Sequence, residues 1–377
     1  MNFDLAAESG HLGLYVHLPF CRIRCSYCPF AISTDLSLEE AYVRALVSEI
    51  ALRRAERARV ETLYFGGGTP SRLSAGGLEK VVAAIRGAYQ LQDGLEFSLE
   101  ANPEDVDEEA VERWKTLGID RVSIGVQSFH DPELFPLGRG HGRTKAIEAL
   151  RVAVRSGLRV NVDLMIGLPH QTRRSFEESL RIAIDEGAGH LSLYILDLEV
   201  GTALEKQVRH GRTALPEDEL TAELYLHAIE ESERRGLRHY EISNFARAGE
   251  ESRHNLKYWQ REHYLGVGLG SHSFVGEERF ANTREVREYI ARLGEGKVPT
   301  VFSESLGEEE QRRERIFLSL RQTAGIGYAE LIELTGREGT EWTRRGTSEG
   351  WLQQRGDRVG FTPSGFLLSN EYISQLF

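Results

Sequence analysis

The sequence predicts an α/β fold in which helices cover a parallel sheet and a small α+β unit follows. Short apolar runs alternate with longer amphipathic runs six times in the first 200 residues, a pattern typical of strand–helix repeats. Predicted helices also tend to end at glycine, as at Gly118, Gly157 and Gly187, where a left-handed residue is favoured. From about Ser303 the pattern changes to short helices and a hairpin.

Six apolar, β-branched or aromatic runs predict the strands of the sheet. They are Leu14–His17, Thr62–Phe65, Leu95–Leu99, Arg121–Val126, Val160–Ile166 and His190–Leu196. The helical patterns between them are Leu38–Arg57, Leu78–Tyr89, Glu108–Leu117, Arg143–Ser156 and Arg174–Glu186. Ligands of parallel α/β sheets bind beyond the carboxyl ends of the strands. We therefore expect the chemistry in the residues that follow each run.

The chain after Gly201 divides into two further regions. A polar helix is predicted at Pro216–Arg235, and an aromatic, glycine-rich stretch follows to Gly276. The last region has a hairpin-like turn at Gly356-Asp357 and predicted helices at Glu308–Arg321, Tyr328–Thr335 and Pro363–Phe377. We predict three regions: the sheet with its helices (1–200), a capping region (201–302) and a winged-helix-like C-terminal unit (303–377).

Composition narrows the class of protein. The 377 residues are 40% hydrophobic and 28% charged, which suits a large core with a solvated surface. Three cysteines do not make a closed disulfide framework. No apolar run approaches the ~18 residues of a membrane span, and the start lacks the order of a secretory signal. With a net charge of −12, a nucleic-acid partner is not expected. The composition predicts a cytoplasmic protein with reduced thiols.

All three cysteines lie in one C-x3-C-x2-C motif, Cys21, Cys25 and Cys28. Three thiolate ligands on a [4Fe-4S] cluster would leave one iron open for another chelator. The same thiols could instead bind zinc with His17 as a fourth ligand, or remain buried and unligated. The motif alone favours the cluster and leaves both alternatives standing.

Three segments around these positions carry a family resemblance: Tyr15–Phe20 before the cysteines, Ser123–Phe129 and Asp163–Pro169. Together with the motif they resemble the radical S-adenosylmethionine (SAM) superfamily. Within it they are similar to the branch of oxygen-independent coproporphyrinogen III oxidases and the HemW family of heme chaperones. The resemblance implies a partial (β/α)6 TIM-type radical SAM barrel. It also implies a [4Fe-4S] cluster on the three cysteines, with SAM chelated at the open iron and cleaved by one electron.

Polar and glycine residues follow several predicted strands. Gly67 and Gly68 would let a ligand approach the backbone closely, and Arg139 could offer a fork to a carboxylate. Singly, such residues are ordinary strand-end residues, but together they converge at one rim. The resemblance implies SAM contacts at Tyr15, Tyr27, Gly67, Gly68, Thr69, Glu100, Gln127, Arg139 and Asp163. We expect His141 to support the loop that carries Arg139.

Two departures distinguish the chain from the oxidases that it resembles. The oxidases have a fourth cysteine two residues after the third, and Phe30 stands there in this sequence. They also carry a longer amino-terminal extension, whereas about a dozen residues precede the first predicted strand here. Both features are similar to the HemW family, although that group commonly has Asp at the position of Pro29.

The segment His254-Asn255-Leu256-Lys257-Tyr258-Trp259 matches the H-N-x-x-Y-W motif of the heme chaperones. Imidazole is a natural axial ligand of heme iron, and aromatic residues can shield a porphyrin. The alternative for His254 is a hydrogen-bonded histidine beside two core aromatics. The resemblance favours heme binding at His254, with His272 as a second candidate.

The sequence thus predicts a heme chaperone that binds heme and transfers it to hemoproteins or cytochromes. We also expect an electron donor to the cluster, a homodimer and a peripheral contact with a membrane. The cluster and SAM would either control a conformational change or support catalytic turnover. The sequence therefore leaves open whether the protein is an enzyme. The alternative is an oxygen-independent coproporphyrinogen III oxidase, which decarboxylates porphyrinogen propionates by radical chemistry.

Overall fold

A computed structural model describes residues 11–54 and 58–377 of the chain. Its centre is a sheet whose first six strands run parallel and lie side by side in chain order. They are β1 (His11–Leu18), β2 (Arg59–Gly67), β3 (Gln90–Ala101), β4 (Arg121–Gln127), β5 (Arg159–Ile166) and β6 (His190–Ile195). The predicted α/β fold with six strand–helix repeats is confirmed.

Helices connect these strands. They are α1 (Glu39–Leu52), α2 (Ala75–Ala88), α3 (Glu108–Thr116), α4 (Asp131–Leu137), α5 (Arg143–Arg155) and α6 (Arg173–Asp185). The side chains of Asp107 and Thr172 cap the amino termini of α3 and α6, where unpaired backbone N–H groups need acceptors. Glycines after α3, α5 and α6 have positive φ, as predicted. The first helix ends before its predicted end, and residues 55–57 of that prediction lie outside the described residues.

Residues 201–302 extend the sheet at both edges. The helices of this region are α7 (Ala203–Arg209), α8 (Asp218–Arg234), α9 (Arg253–Trp259) and α10 (Val286–Gly294). Its strands are β7 (Arg238–Glu241), β8 (Asn244–Ala246), β9 (Tyr264–Gly268), β10 (His272–Val275), β11 (Glu278–Asn282) and β12 (Thr300–Ser305). The order is β12-β11-β10-β9-β1-β2-β3-β4-β5-β6-β8-β7, so β9 flanks β1 and β8 flanks β6. Among the described strands the two edges of the sheet do not pair, so the partial barrel is open. The predicted boundary at 302 falls within β12.

The C-terminal unit has the helix–strand–helix–helix–hairpin order of a winged helix. Its elements are α11 (Glu308–Leu320), β13 (Ile326–Gly327), α12 (Tyr328–Thr335), α13 (Arg337–Ser348), β14 (Leu352–Arg355), β15 (Arg358–Phe361), α14 (Pro363–Leu367) and α15 (Ser369–Ser374). The sequence did not predict α13, and the single final helix that it predicted is broken into α14 and α15. Backbone hydrogen bonds from Ile242 to Arg321 and from Thr323 to Tyr240 join the unit to the edge of the sheet.

One continuous apolar core runs from the parallel strands into the C-terminal unit. Parallel strands are covered on both faces by helices or barrel interior, so their apolar runs are nearly unbroken. Within the described ranges, no helix is both long and apolar enough to span a membrane. The packing leaves the carboxyl ends of the parallel strands as a rim around one cavity.

Candidate functional site

The rim encloses a cavity of about 460 Å³, bordered by the segment between β1 and α1. We call residues 19–33 of that segment the cluster loop. The cavity brings together eleven of the residues that the sequence predicted for the site. They are Cys21, Cys25, Tyr27, Cys28, Gly67, Gly68, Thr69, Glu100, Gln127, Arg139 and Asp163. They converge because the carboxyl ends of neighbouring parallel strands meet at one end of the sheet.

The three thiols of the cluster loop face this cavity without disulfide bonds. Cys21 is 9% exposed, and burial raises the pKa of its thiol to about 11. Burial also raises the pKa of Cys28. Thiolate ligands therefore require a positively charged metal partner to be stable here.

The spacing of these thiols bears on the kind of metal site. Within residues 11–54 and 58–377, no three His, Cys, Asp or Glu side chains converge closely enough for a single metal ion. Both ring nitrogens of His17 are occupied elsewhere, 3.1 Å from the Tyr15 hydroxyl and 2.8 Å from the Ala31 carbonyl. The zinc alternative with His17 is therefore not supported, and the three thiols that line one cavity are the ligand type that an iron–sulfur cluster takes.

Two helices hold the cluster loop at the rim. The Ser26 backbone N–H donates to Leu137 at the end of α4, and its hydroxyl donates to Pro136, at 2.9 and 2.7 Å. The backbone N–H of Leu204 in α7 donates to the Ser26 carbonyl at 2.8 Å. Neither α4 nor α7 was predicted, because both span only seven residues and give little periodicity.

Gly68 is required by close packing under the cluster loop. A Cβ atom there would lie 2.5 Å from the Pro19 carbonyl oxygen and 3.0 Å from the Cys21 sulfur. The Gly68 N–H donates to Leu18, and the neighbouring Thr69 N–H donates to Phe20. The Thr69 hydroxyl lies 3.4 Å from the Cys21 sulfur. The strand end after β2 is thereby fixed against the first thiol.

Two carboxyl groups form the floor of the cavity. Glu100 accepts from the Tyr64 hydroxyl at 2.9 Å and from the Gly67 N–H at 3.1 Å. Asp163 accepts from the Ser123 hydroxyl at 3.1 Å and from the Asn161 amide at 2.7 Å. Burial in the barrel, together with the Asp163 charge, raises the pKa of Glu100 to about 7. Burial raises the pKa of Asp163 to about 6. A cationic ligand would favour the ionised form of both groups.

Arg139 spans the space between the cluster loop and the ends of β3 and β4. Its guanidinium lies 3.5 Å from the Cys25 sulfur and donates to Asn102 at 2.6 Å and to the Gly125 carbonyl. The nearby Gln127 has φ of +66°, a conformation that L-residues seldom adopt. The register of β4 on β5 shifts between Gly125 and Gln127, and such a bulge can re-aim a side chain toward a site.

Some predicted residues lie elsewhere, and some lining residues were not predicted. Tyr15 stands in β1 beside the Tyr64 ring, at 6.1 Å between centroids, and is not among the residues that line the cavity. His141 lies 3.1 Å from the Val126 carbonyl oxygen, beneath the loop that carries Arg139. The unpredicted lining residues include Asn102, Ser123, Met165, Tyr194 and Glu199. Most of them follow or lie within a predicted strand, and that position is the sequence feature by which they could have been found.

His254 does not present an open imidazole. It is 1% exposed, its Nδ1 lies 2.8 Å from the Thr62 hydroxyl, and its Nε2 lies 2.8 Å from the Tyr258 hydroxyl. Its ring stacks on Tyr64, and burial lowers the pKa of the imidazole to about 3. In this structure His254 has the hydrogen-bonded role that the sequence offered as the alternative to heme binding. His272, by contrast, is exposed on β10.

Comparison with known proteins agrees with this geometry. The family model of the radical SAM superfamily matches residues 15–183. The chain is 35% identical to the heme chaperone HemW of Synechocystis sp., covering 96% of this chain and 95% of the relative. It is 37% identical to the heme chaperone HemW of Bacillus subtilis, over 86% of each chain.

A mitochondrial radical S-adenosyl methionine domain-containing protein 1 from Bos taurus is 41% identical, over 85% of this chain and 75% of that protein. Among solved structures, coproporphyrinogen III oxidase (HemN) from Escherichia coli superposes with a TM-score of 0.86 at 22% identity. That match covers 99% of this chain and 92% of the oxidase, and at this identity it shows a shared fold. From its similarity to the heme chaperones over nearly its whole length, the chain belongs to the HemW family of the radical SAM superfamily.

Proposed function

We propose that this protein binds heme and transfers it to hemoproteins, and that its barrel carries a [4Fe-4S] cluster and SAM. The observation that carries the proposal is the similarity to heme chaperones over nearly the full length of both chains. The partners of this function are recipient hemoproteins or cytochromes and an electron donor to the cluster. We place the function in the cytoplasm.

The residues of the cavity have distinct roles in this proposal. Cys21, Cys25 and Cys28 hold the cluster, which with SAM supplies reductive cleavage of a carbon–sulfur bond. Glu100 and Asp163 balance the positive charge of the ligand in a site of low polarity. The Arg139 guanidinium places a positive charge beside a ligand carboxylate, and the lack of a Cβ at Gly68 lets the cluster loop pack against the end of β2.

The second candidate is an oxygen-independent coproporphyrinogen III oxidase. The shared fold with the oxidase of Escherichia coli favours it. Against it, Phe30 occupies the position of the fourth cysteine of the oxidases, and its side chain is 61% exposed at the edge of the cavity. Without that thiol, the cluster loop departs from the sequence pattern of the oxidases two residues after Cys28.

Heme transfer distinguishes the two functions. We expect the anaerobically reconstituted protein to bind heme saturably, followed by its Soret absorbance, and to release it to an apo-cytochrome. We expect no consumption of coproporphyrinogen III in the presence of SAM and a reductant. The Cys28→Ala variant serves as the control for the cluster, because it should lose the brown absorption. Turnover of coproporphyrinogen without heme binding would overturn the proposal in favour of the oxidase.

A further inference from the structure

We infer that the exposed surface of the cluster loop binds an acidic protein that carries a one-electron centre, and that this protein reduces the cluster. The inference rests on the cluster of the proposed function and assigns the surface where its electron donor binds. In the transfer, one electron leaves the donor's centre and enters the cluster, and no bond of this chain forms or breaks. We call this surface the docking face and define it by five exposed residues: Arg22, Ile23, Arg24, Phe30 and Arg284.

The three arginines of the docking face have no carboxylate partner among the described residues. Arg22 makes no hydrogen bond or ion pair within that part of the chain. Arg24 donates to three carbonyl groups of residues 28–32, at 3.2 to 3.4 Å. Arg284 donates to the Pro29 carbonyl at 2.8 Å. These carbonyl groups position the two guanidinium groups over one stretch of the loop but leave their charges without a counterion.

The positive charge of the docking face contrasts with the net charge of the chain, which is −12. A further exposed arginine, Arg287, pairs with Asp35 at 3.4 Å and so adds little net charge. Cations gathered on one surface attract an acidic partner and orient it before contact, whereas they repel a basic one. The charge of this face therefore favours an acidic electron donor.

Two apolar side chains stand among these cations. Ile23 is 46% exposed and Phe30 is 61% exposed, and both lie at the edge of the cavity. Interfaces between proteins are enriched in aromatic residues and arginine. Transient redox complexes bury less than about 1,200 Å², an area that a loop and its neighbours can supply. The composition of the face thus fits a protein partner that binds briefly and leaves.

The docking face lies in the same loop as the thiols that would hold the cluster. The Arg24 guanidinium is 3.4 Å from the Cys28 carbonyl oxygen, so a protein bound at Arg24 contacts the backbone of a cluster ligand. Glu100 and Asp163, which would face SAM, lie on the floor of the cavity, whereas Ile23 lies at its edge. Donor and SAM therefore use different groups of this chain.

Calorimetric titration of the cluster-loaded protein with a flavodoxin, an acidic flavin protein, tests the docking face. We expect binding by the wild type to weaken as the ionic strength rises from about 0.05 to about 0.5 M. Arg22→Glu should weaken binding about tenfold or more, and Ile23→Ser several-fold. Arg344→Glu, at an exposed arginine of α13, is the matched control and should bind as the wild type does.

Reduction kinetics separate loss of docking from loss of the cluster. Mixed with reduced flavodoxin, Arg22→Glu should lose its brown absorbance about tenfold more slowly than the wild type. Dithionite is a small reductant that needs no docking face. With dithionite, the uncharged variant Ile23→Ser should be reduced at the wild-type rate.

The outcomes separate the inference from the proposed function. If Arg22→Glu and Ile23→Ser bind flavodoxin and are reduced by it as the wild type is, the inference is overturned, and heme binding by the wild type still decides the proposed function. If both variants lose heme affinity but keep flavodoxin binding, the face serves heme and the inference is wrong. Salt-dependent flavodoxin binding that Arg22→Glu weakens, in a protein that does not bind heme, would support the docking face and overturn the heme function.

Discussion

Glu100 shows how a single residue couples ligand binding to pH. Its pKa is raised to about 7, so the carboxyl is mostly protonated at pH 6 and ionised at pH 8. A cationic ligand such as SAM binds the ionised form, and we predict that its affinity rises about tenfold between pH 6 and pH 8. Equilibrium dialysis of SAM across this range, on the cluster-loaded protein, measures the effect.

The Glu100→Gln variant stays neutral at every pH, so its SAM affinity should be low and much less dependent on pH. Glu199, an exposed carboxylate on the same rim, gives the matched control Glu199→Gln, which should keep the wild-type dependence. An unchanged pH profile in Glu100→Gln would remove this carboxyl from the ligand site and leave Asp163 as the group responsible.

At the scale of elements, the position of the cluster loop depends on α4 and α7. The side chain of Ser26 makes one of the three hydrogen bonds by which Ser26 joins the loop to these two helices. We predict that Ser26→Ala costs about 1 kcal/mol locally and exposes the cluster to solvent more often. The expected result is a several-fold faster loss of cluster absorbance to an iron chelator, with little change in the melting temperature. Ser37→Ala, in an exposed turn, is the control, and equal rates in both variants would contradict the prediction.

The elements also show which strands local sequence patterns predicted and which strands they did not. The parallel strands were predicted because each is an apolar run between helices, whereas their register, with its shift between Gly125 and Gln127, came only from the structure. Strands β9 to β12 were not separated, since glycine and aromatic residues there follow no clear period of two. Their pairing places Ala281 between His272 and Phe302, which are thirty residues apart in sequence, and this could not be derived from local pattern.

At the scale of the whole molecule, the buried carboxylate of Glu49 links α1 to β9, β11 and α10. It is 0% exposed and accepts from Arg53 just after the end of α1, from the Gly268 N–H, and from Asn282 and Tyr289. One side chain of α1 thus fixes residues more than 200 positions later. Neutralising it would leave the Arg53 charge without its partner in the interior.

We predict that Glu49→Gln lowers the free energy of unfolding by about 3–5 kcal/mol. Chemical denaturation of the full chain measures this loss. The control is Glu40→Gln, which removes an exposed i,i+4 pair with Arg44 on the same helix and should change stability by less than about 1 kcal/mol. Equal effects from the two substitutions would show that the buried network does not anchor the sheet.

By itself the sequence determined the strand–helix repeats, the three thiols on one loop and eleven of the residues that line the cavity. These depend on local periodicity, on short motif spacing and on the rule that parallel strands end together. Only the tertiary structure decided the surroundings of the candidate histidines. The His254 imidazole is hydrogen-bonded to Thr62, 192 positions away, whereas His272 is exposed on β10. A motif names the residue type, but whether a lone pair is free depends on partners that the fold brings from distant parts of the chain.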